Sequence, residues 1–285
     1  MKKIWSAILA LTMTAAVLAG CGAKGTGGQA GSGAASSGLS GSVSTNGSTS
    51  MEKVIGSLKE QFMTDHPDVT VSYDATGSGS GIEAVANGSC DIGLSSRALK
   101  DEETAKGLTG TTVALDGIAI IVSADSKVDD LTLEQIASIF TSETTDWSTV
   151  GGAAGPIACI GREANSGTRD GFESITQTKD RCRLAQELTS TGAVIEAVKN
   201  SPNAIGYASF SDVEGKDGIK AIRVGGVACS EATVLDGTYQ IQRPFVLVTR
   251  DGAALSKAAQ AFFDFATSAG ANGIIENVGA VPTAK

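Results

Sequence analysis

The sequence predicts an α/β fold built from layered, largely parallel sheets. Short β-branched runs alternate with helical patterns along the whole chain rather than clustering by type. No stretch repeats at a fixed period. The composition, 41% hydrophobic and 19% charged, is that of an ordinary globular chain, long enough for one large or two medium domains.

The elements follow in order. "MEKVIGSLKEQFMTDH" (Met51–His66) spaces Val54, Leu58 and Phe62 by four, which is one face of a helix. "VTVSY" (Val69–Tyr73) is β-branched between turn residues and reads as a strand. "GIAIIVS" (Gly117–Ser123) is a buried strand, and "TLEQIASIF" (Thr132–Phe140) a helix. "PIACIG" (Pro156–Gly161) is a strand and "GAVIEAVKN" (Gly192–Asn200) a helix. "AIGYAS" (Ala204–Ser209) and "RPFVLVT" (Arg243–Thr249) are strands, and "LSKAAQAFFDFATS" (Leu255–Ser268) is a helix.

The N-terminus carries an address. Lys2 and Lys3 precede an apolar run, Ile4 to Val17, and then "LAGC", Leu18 to Cys21, the pattern of an export signal. The run is shorter than the ~20 residues a membrane span needs. Cys21 after Leu-Ala-Gly resembles a bacterial lipobox, which implies cleavage of residues 1–20 and a lipid on the Cys21 thiol. Residues 21–40 are rich in Gly, Ser and Ala and read as a flexible tether. The remainder is expected to be soluble, extracytoplasmic and held at the cell membrane by its anchor.

Charge and cysteines narrow the classes. Of 22 basic residues, 20 remain without Lys2 and Lys3; against 31 acidic ones the net charge is −11, which argues against nucleic acid as a partner. Cys90, Cys159, Cys182 and Cys229 could form two disulfides or stay as buried thiols. No pair has the C-x-x-C spacing of a metal or redox site, so no metal and no cofactor is expected.

Four small polar turns each follow a predicted strand. They are "NGSTS" (Asn46–Ser50), "TGSGSG" (Thr76–Gly81), "LSSR" (Leu94–Arg97) and "NSGT" (Asn165–Thr168). Ligands in open α/β sheets bind beyond the carboxyl ends of strands. Ser and Thr cap helices there, Gly admits close backbone approach, and the unpaired first-turn N–H groups sit at the positive end of the helix dipole. One such turn is merely a cap; four together describe an anion site. Arg162, four residues before Ser166, offers a planar fork of donors that matches an oxyanion. Its bland alternative is a surface salt bridge with Glu163 or Asp170.

Other motifs are weaker. Gly79, Gly81 and Ala84 fit a dinucleotide fingerprint by spacing alone, and no P-loop is present. His66 is the sole histidine and lies before Pro67 at a predicted helix end, so a Ser-His-Asp triad is poorly supported and no catalytic residue is assigned.

"GSTS", "GSGSGIEAVANGSCDIGLSSR", "IGREANSGTRDGF", "NAIGYAS" and "YQIQRPF" together resemble the phosphate-binding lipoproteins of bacterial high-affinity phosphate ABC transporters, from about Gly41 to Pro282. The resemblance implies a two-domain, periplasmic-binding-protein-like clamp. Domain 1 would span 41–115 and 245–285, and domain 2 would span 116–244. The two chain crossings would lie near Val113–Asp116 and Gln242–Phe245. It implies a monomeric, non-enzymatic receptor that closes on inorganic phosphate without a metal and hands it to membrane permease subunits. Carried over by position, Thr49, Ser50 and Ser78 offer hydroxyls and N–H groups, Arg162 the charged fork, and Ser166, Gly167 and Thr168 a cradle. Many relatives have Asp where this chain has Ser96, so the means of telling phosphate from sulfate is open. Another tetrahedral oxyanion, a secreted phosphate-ester hydrolase and an adhesion or signalling role are the competing readings.

Overall fold

A computed structural model describes residues 38–284. The export signal, Cys21 and most of the tether lie outside the described residues.

Strand β1 (Gly41–Gly47) leads through a 3-10 turn at Thr49–Met51 into helix α1 (Glu52–Asp65). Then come β2 (Val69–Ala75), α2 (Ser78–Ala86), β3 (Ile92–Ser95) and the short α3 (Asp101–Thr104). The long β4 (Leu108–Ser123) opens a second group: β5 (Asp130–Leu131), α4 (Leu133–Phe140), β6 (Ala158–Arg162), α5 (Gly167–Ile175), β7 (Gln186–Leu188) and α6 (Thr191–Lys199). It continues with β8 (Ala204–Ser209), α7 (Phe210–Val213), β9 (Ile219–Ala221), β10 (Arg223–Val224) and α8 (Glu231–Leu235). β11 (Gln242–Arg250) returns, followed by α9 (Lys257–Ala266), α10 (Asn272–Glu276) and β12 (Val281–Pro282).

One curled sheet runs β2-β1-β3-β11-β4-β8-β6-β7. The parallel ladders expected from the alternating pattern form its two wings, β2-β1-β3 and β8-β6-β7. The middle is antiparallel, because β4 carries the chain out of the first wing and β11 brings it back beside it. β4 starts nine residues before the predicted strand at Gly117, and this added stretch pairs with β11 and β12 while Ile118–Val122 pairs with β8. β11 shifts register between Phe245 and Val246, just past Pro244, which has no N–H to give the ladder.

Each wing has its own core, the arrangement of a two-lobed clamp. The first packs Val54, Leu58 and Phe62 of α1, on the face the sequence marks, against Leu94, Phe245 and Phe262. Phe62 meets Phe262 edge-on at 5.3 Å. The second gathers Ile120, Phe140, Phe172, Val194 and Tyr207, with Phe172 stacked on Tyr207 at 4.2 Å. Cys90, Cys159, Cys182 and Cys229 are free thiols. Among the described residues no helix is long and apolar enough to cross a membrane.

Candidate functional site

The polar turns converge in the seam between the two cores. Thr49 and Ser50 head the 3-10 turn, with Ser48 capping it by accepting the Ser50 N–H. Ser78 opens α2, and Ser96 follows β3. Thr168 lies in the first turn of α5, whose cap is Ser166, with its Oγ accepting the Arg169 N–H at 3.3 Å. All of these side chains are buried. Buried hydroxyls away from a partner are costly, and here each finds one across the seam or beside it. Ser50 Oγ lies 2.8 Å from Thr168 Oγ1, and Ser78 Oγ lies 3.2 Å from Ser96 Oγ while accepting the Ser96 N–H at 3.0 Å.

Two glycines make this approach possible. A Cβ on Gly81 would stand 2.3 Å from the Asn46 carbonyl oxygen, so α2 could not pack on the end of β1. A Cβ on Gly167 would stand 2.3 Å from Ser78 Oγ and 2.8 Å from Ser96 Oγ, so the start of α5 could not meet the first lobe.

Arg162 ends β6 and is 1% exposed. The second core sets its position: the Tyr207 hydroxyl accepts its backbone N–H at 3.1 Å, and Arg169 Nη1 donates to its carbonyl at 2.9 Å. Its guanidinium donates through Nε to the Leu188 carbonyl (3.0 Å), through Nη2 to the Thr189 carbonyl (2.8 Å) and through Nη1 to Thr191 Oγ1 (3.3 Å). Burial pushes its pKa down to about 10, which still leaves it a cation at neutral pH. The surface-bridge alternative does not hold: none of the ion pairs among the described residues involves Arg162, and Asp170 pairs with Arg97 and Lys100 instead.

Two residues join the site that the sequence reading passed over. Thr191 opens α6 behind its cap Ser190. Its Oγ1 lies 3.0 Å from both Thr49 Oγ1 and Ser50 Oγ. The signal was present, since Ser190-Thr191-Gly192 is a fifth small polar turn before a helix. Arg243 on β11 is 3% exposed, and its Nη1 donates to Thr168 Oγ1 at 2.6 Å. Nothing local in "YQIQRPF" marks it.

The seam is therefore a buried cluster of hydroxyls, helix N-termini and two guanidinium groups. Arg243 is matched by Asp116, whereas Arg162 has no ion-pair partner among the described residues. That chemistry suits a compact anion with several acceptor oxygens. Among the described residues no carboxylate bonds Ser96: Asp74 and Glu83 are exposed, and Asp170 is held by Arg97. Among the described residues no three His, Cys, Asp or Glu side chains gather as a metal site. His66 packs against Phe62 at the end of α1, the two rings tilted with their centroids 4.6 Å apart.

The PBP superfamily domain matches residues 32–269. The phosphate-binding protein PstS of Bacillus subtilis is 32% identical over 206 residues, covering 71% of this chain and 68% of that protein. A phosphate ABC transporter substrate-binding protein from Clostridium perfringens, solved with bound phosphate, aligns at 35% identity and a TM-score of 0.80 over 85% of this chain and 100% of its own. An ABC-type phosphate transport receptor from Vibrio cholerae aligns at 30% identity and a TM-score of 0.70, again over 85% of this chain and 100% of its own.

Proposed function

The chain belongs to the PBP superfamily and, within it, to the family of phosphate-binding proteins PstS, and from that membership and the seam geometry we propose that it captures inorganic phosphate between its lobes and delivers it to the permease of an ABC transporter. The observation that carries this is the meeting of Ser50, Thr168 and Thr191 hydroxyls from both lobes in a buried cluster beside Arg162, which has no ion-pair partner among the described residues. Hydroxyl and N–H donors on every side suit a small tetrahedral oxyanion that sheds its water on closure. Thr49, Ser50, Ser78, Ser96, Arg162, Ser166, Gly167 and Thr168 form the ligand set of this reading, with Thr191 added.

The hinge of this reading is where β4 and β11 run side by side, Ala114 to Asp116 opposite Arg243 to Phe245. Residues 41–115 with 245–285 and residues 116–244 would then move as two bodies. The protein works outside the cytoplasm as a monomer, anchored through a lipid on Cys21.

Calorimetry of the chain without its signal against phosphate, arsenate, sulfate and molybdate tests the reading. Tight one-to-one binding of phosphate is expected. Preference for sulfate or molybdate overturns the ligand, and turnover of a chromogenic phosphomonoester overturns the receptor role in favour of a hydrolase. Retention on membranes of an efficiently processed Cys21→Ser chain overturns the anchor.

A further inference from the structure

Arg243 and Asp116 face each other across the two long strands, as partners in the β4–β11 ladder. Arg243 Nη2 and Nε lie 3.1 and 3.3 Å from Asp116 Oδ2. Asp116 Oδ1 in turn accepts the Ser209 hydroxyl at 2.8 Å and the Ser211 N–H at 3.4 Å. One edge of the guanidinium is thereby fixed to the strands that join the lobes. The remaining nitrogen, Nη1, reaches one residue of each lobe: Thr168 Oγ1 at 2.6 Å and the Ser96 carbonyl at 3.4 Å.

We propose that Arg243 is a positioning residue for anion capture, acting through the Thr168 hydroxyl and held to that task by Asp116. This rests on the reading of the seam as an oxyanion site. The reason is proton direction. A guanidinium can only donate, so Thr168 Oγ1 must accept that bond, and its own proton must point elsewhere. The partner it has on the other side is Ser50 Oγ, 2.8 Å away across the seam. Arg243 therefore turns the Thr168 hydroxyl into a donor aimed at the space between the lobes, and the charged donor behind it strengthens that hydroxyl as a donor. A hydroxyl set before the ligand arrives has less freedom to lose on binding.

The other hydroxyls are set in the same way. Arg162 Nη1 orients Thr191, the Thr191 N–H orients Thr49, and the Ser96 N–H orients Ser78. Ser96 and Ser50 have only hydroxyl partners, so their protons are free to turn either way. Four hydroxyls are thus set as donors, and two can accept a proton carried by the ligand. Because Asp116 cancels its charge, Arg243 contributes direction rather than long-range attraction.

The test is a double-mutant cycle on phosphate affinity, with thermal unfolding of the ligand-free chain as control. Arg243→Lys has a single nitrogen that cannot hold Asp116 and also reach Thr168. It should weaken phosphate binding by about 10- to 100-fold, the size of one hydrogen bond to a charged group. In a Thr168→Val chain the same change should cost less than about twofold, because its target is gone. A merely structural Arg243 would cost the same in both backgrounds, and that result, or no loss in either, overturns the proposal. If Arg243→Lys fails to fold, the neutral pair Asp116→Asn/Arg243→Gln takes its place in the cycle with the same expectation. A wild-type chain that binds another tetrahedral oxyanion and not phosphate overturns the phosphate reading alone, and the cycle is read with that oxyanion. A chain that binds none overturns both.

Discussion

Arg97 and Asp170 meet across the cleft with Nε 2.8 Å from Oδ2, Arg97 coming from the loop after β3 and Asp170 from the first turn of α5. Glu103 grips the far side of Arg97 with two bonds of 2.7 Å, and Lys100 adds a second cation 3.3 Å from Asp170. The pair borders a crevice of about 340 Å³ that runs along Gln242–Pro244 of β11. Glu103 thus fixes Arg97 on the first lobe, where it meets Asp170 of the second. Asp170→Asn should remove a closing contact without touching the ligand. The pair is partly solvated, so its share is about 0.5–1 kcal/mol, or a roughly two- to fivefold weaker affinity carried by faster release. Stopped-flow release rates check it, and an unchanged release rate would show that the pair plays no part in closure.

Gly167→Ala separates closure from folding. Gly167 has ordinary helical geometry, and Ala is the better helix former by about 1 kcal/mol, so the ligand-free chain should be as stable or slightly more so. With the lobes in contact its methyl would collide with Ser78 Oγ and Ser96 Oγ. Overpacking of this kind costs about 1–3 kcal/mol, so phosphate affinity should fall roughly 10- to 100-fold. Calorimetry paired with thermal unfolding measures both halves. A parallel fall in stability would mean that the lobes are already pressed together without ligand.

Arg162→Ala should damage binding far more than stability. Removing a buried cation that has no ion-pair partner from the proposed anion site costs about 2–5 kcal/mol of affinity, roughly 30-fold or more. The guanidinium bonds to the Leu188 and Thr189 carbonyls are lost as well, but the Leu188 carbonyl keeps the Glu163 N–H at 3.1 Å and Thr189 is exposed to water, so neither is orphaned. The ligand-free melting temperature should therefore change little, and calorimetry paired with thermal unfolding checks both. Unchanged phosphate affinity would remove Arg162 from the ligand set.

Ser96→Asp should sharpen rejection of sulfate. A hydroxyl donates or accepts, so the native site should take monobasic and dibasic phosphate about equally, with affinity nearly flat around pH 7. An ionised carboxylate only accepts, and sulfate has no proton to offer it. Competition of sulfate against phosphate at several pH values, for both chains, reads this directly. Identical sulfate exclusion by the two would remove Ser96 from the discriminating contact.

Asp212 should make stability pH-dependent. Its Oδ2 is shut off from solvent with no hydrogen-bond partner. Burial first, and then the carboxylates of Asp116 and Glu52, push its pKa up to about 7, while Lys53 and Arg243 pull it down. The folded chain therefore keeps a proton that the unfolded chain has released above its ordinary value of 3.8. This contribution is complete below about pH 4 and is lost as pH rises toward 7. Asp212→Asn should flatten that decline and raise the melting temperature at pH 8. Superimposable melting-against-pH curves for the two chains would contradict it.

The sequence alone carried the elements and marked most of the polar side chains that gather in the seam. The four-residue spacing of Val54, Leu58 and Phe62 set the buried face of α1, and small polar turns marked the helix starts, because capping and helical periodicity are local effects. Arg162 was legible for the same reason, lying beside the turn it serves. Arg243 and its role were not. It stands 75 residues from Thr168 and 127 from Asp116, and only the return of β11 beside β4 brings the three together. The antiparallel centre of the sheet was hidden likewise, since strand direction depends on where the chain goes next rather than on the residues within the strand. Burial decided the rest. Asp170 could have paired with Arg162 by spacing, yet packing sealed Arg162 behind Tyr207 and left Asp170 facing Arg97.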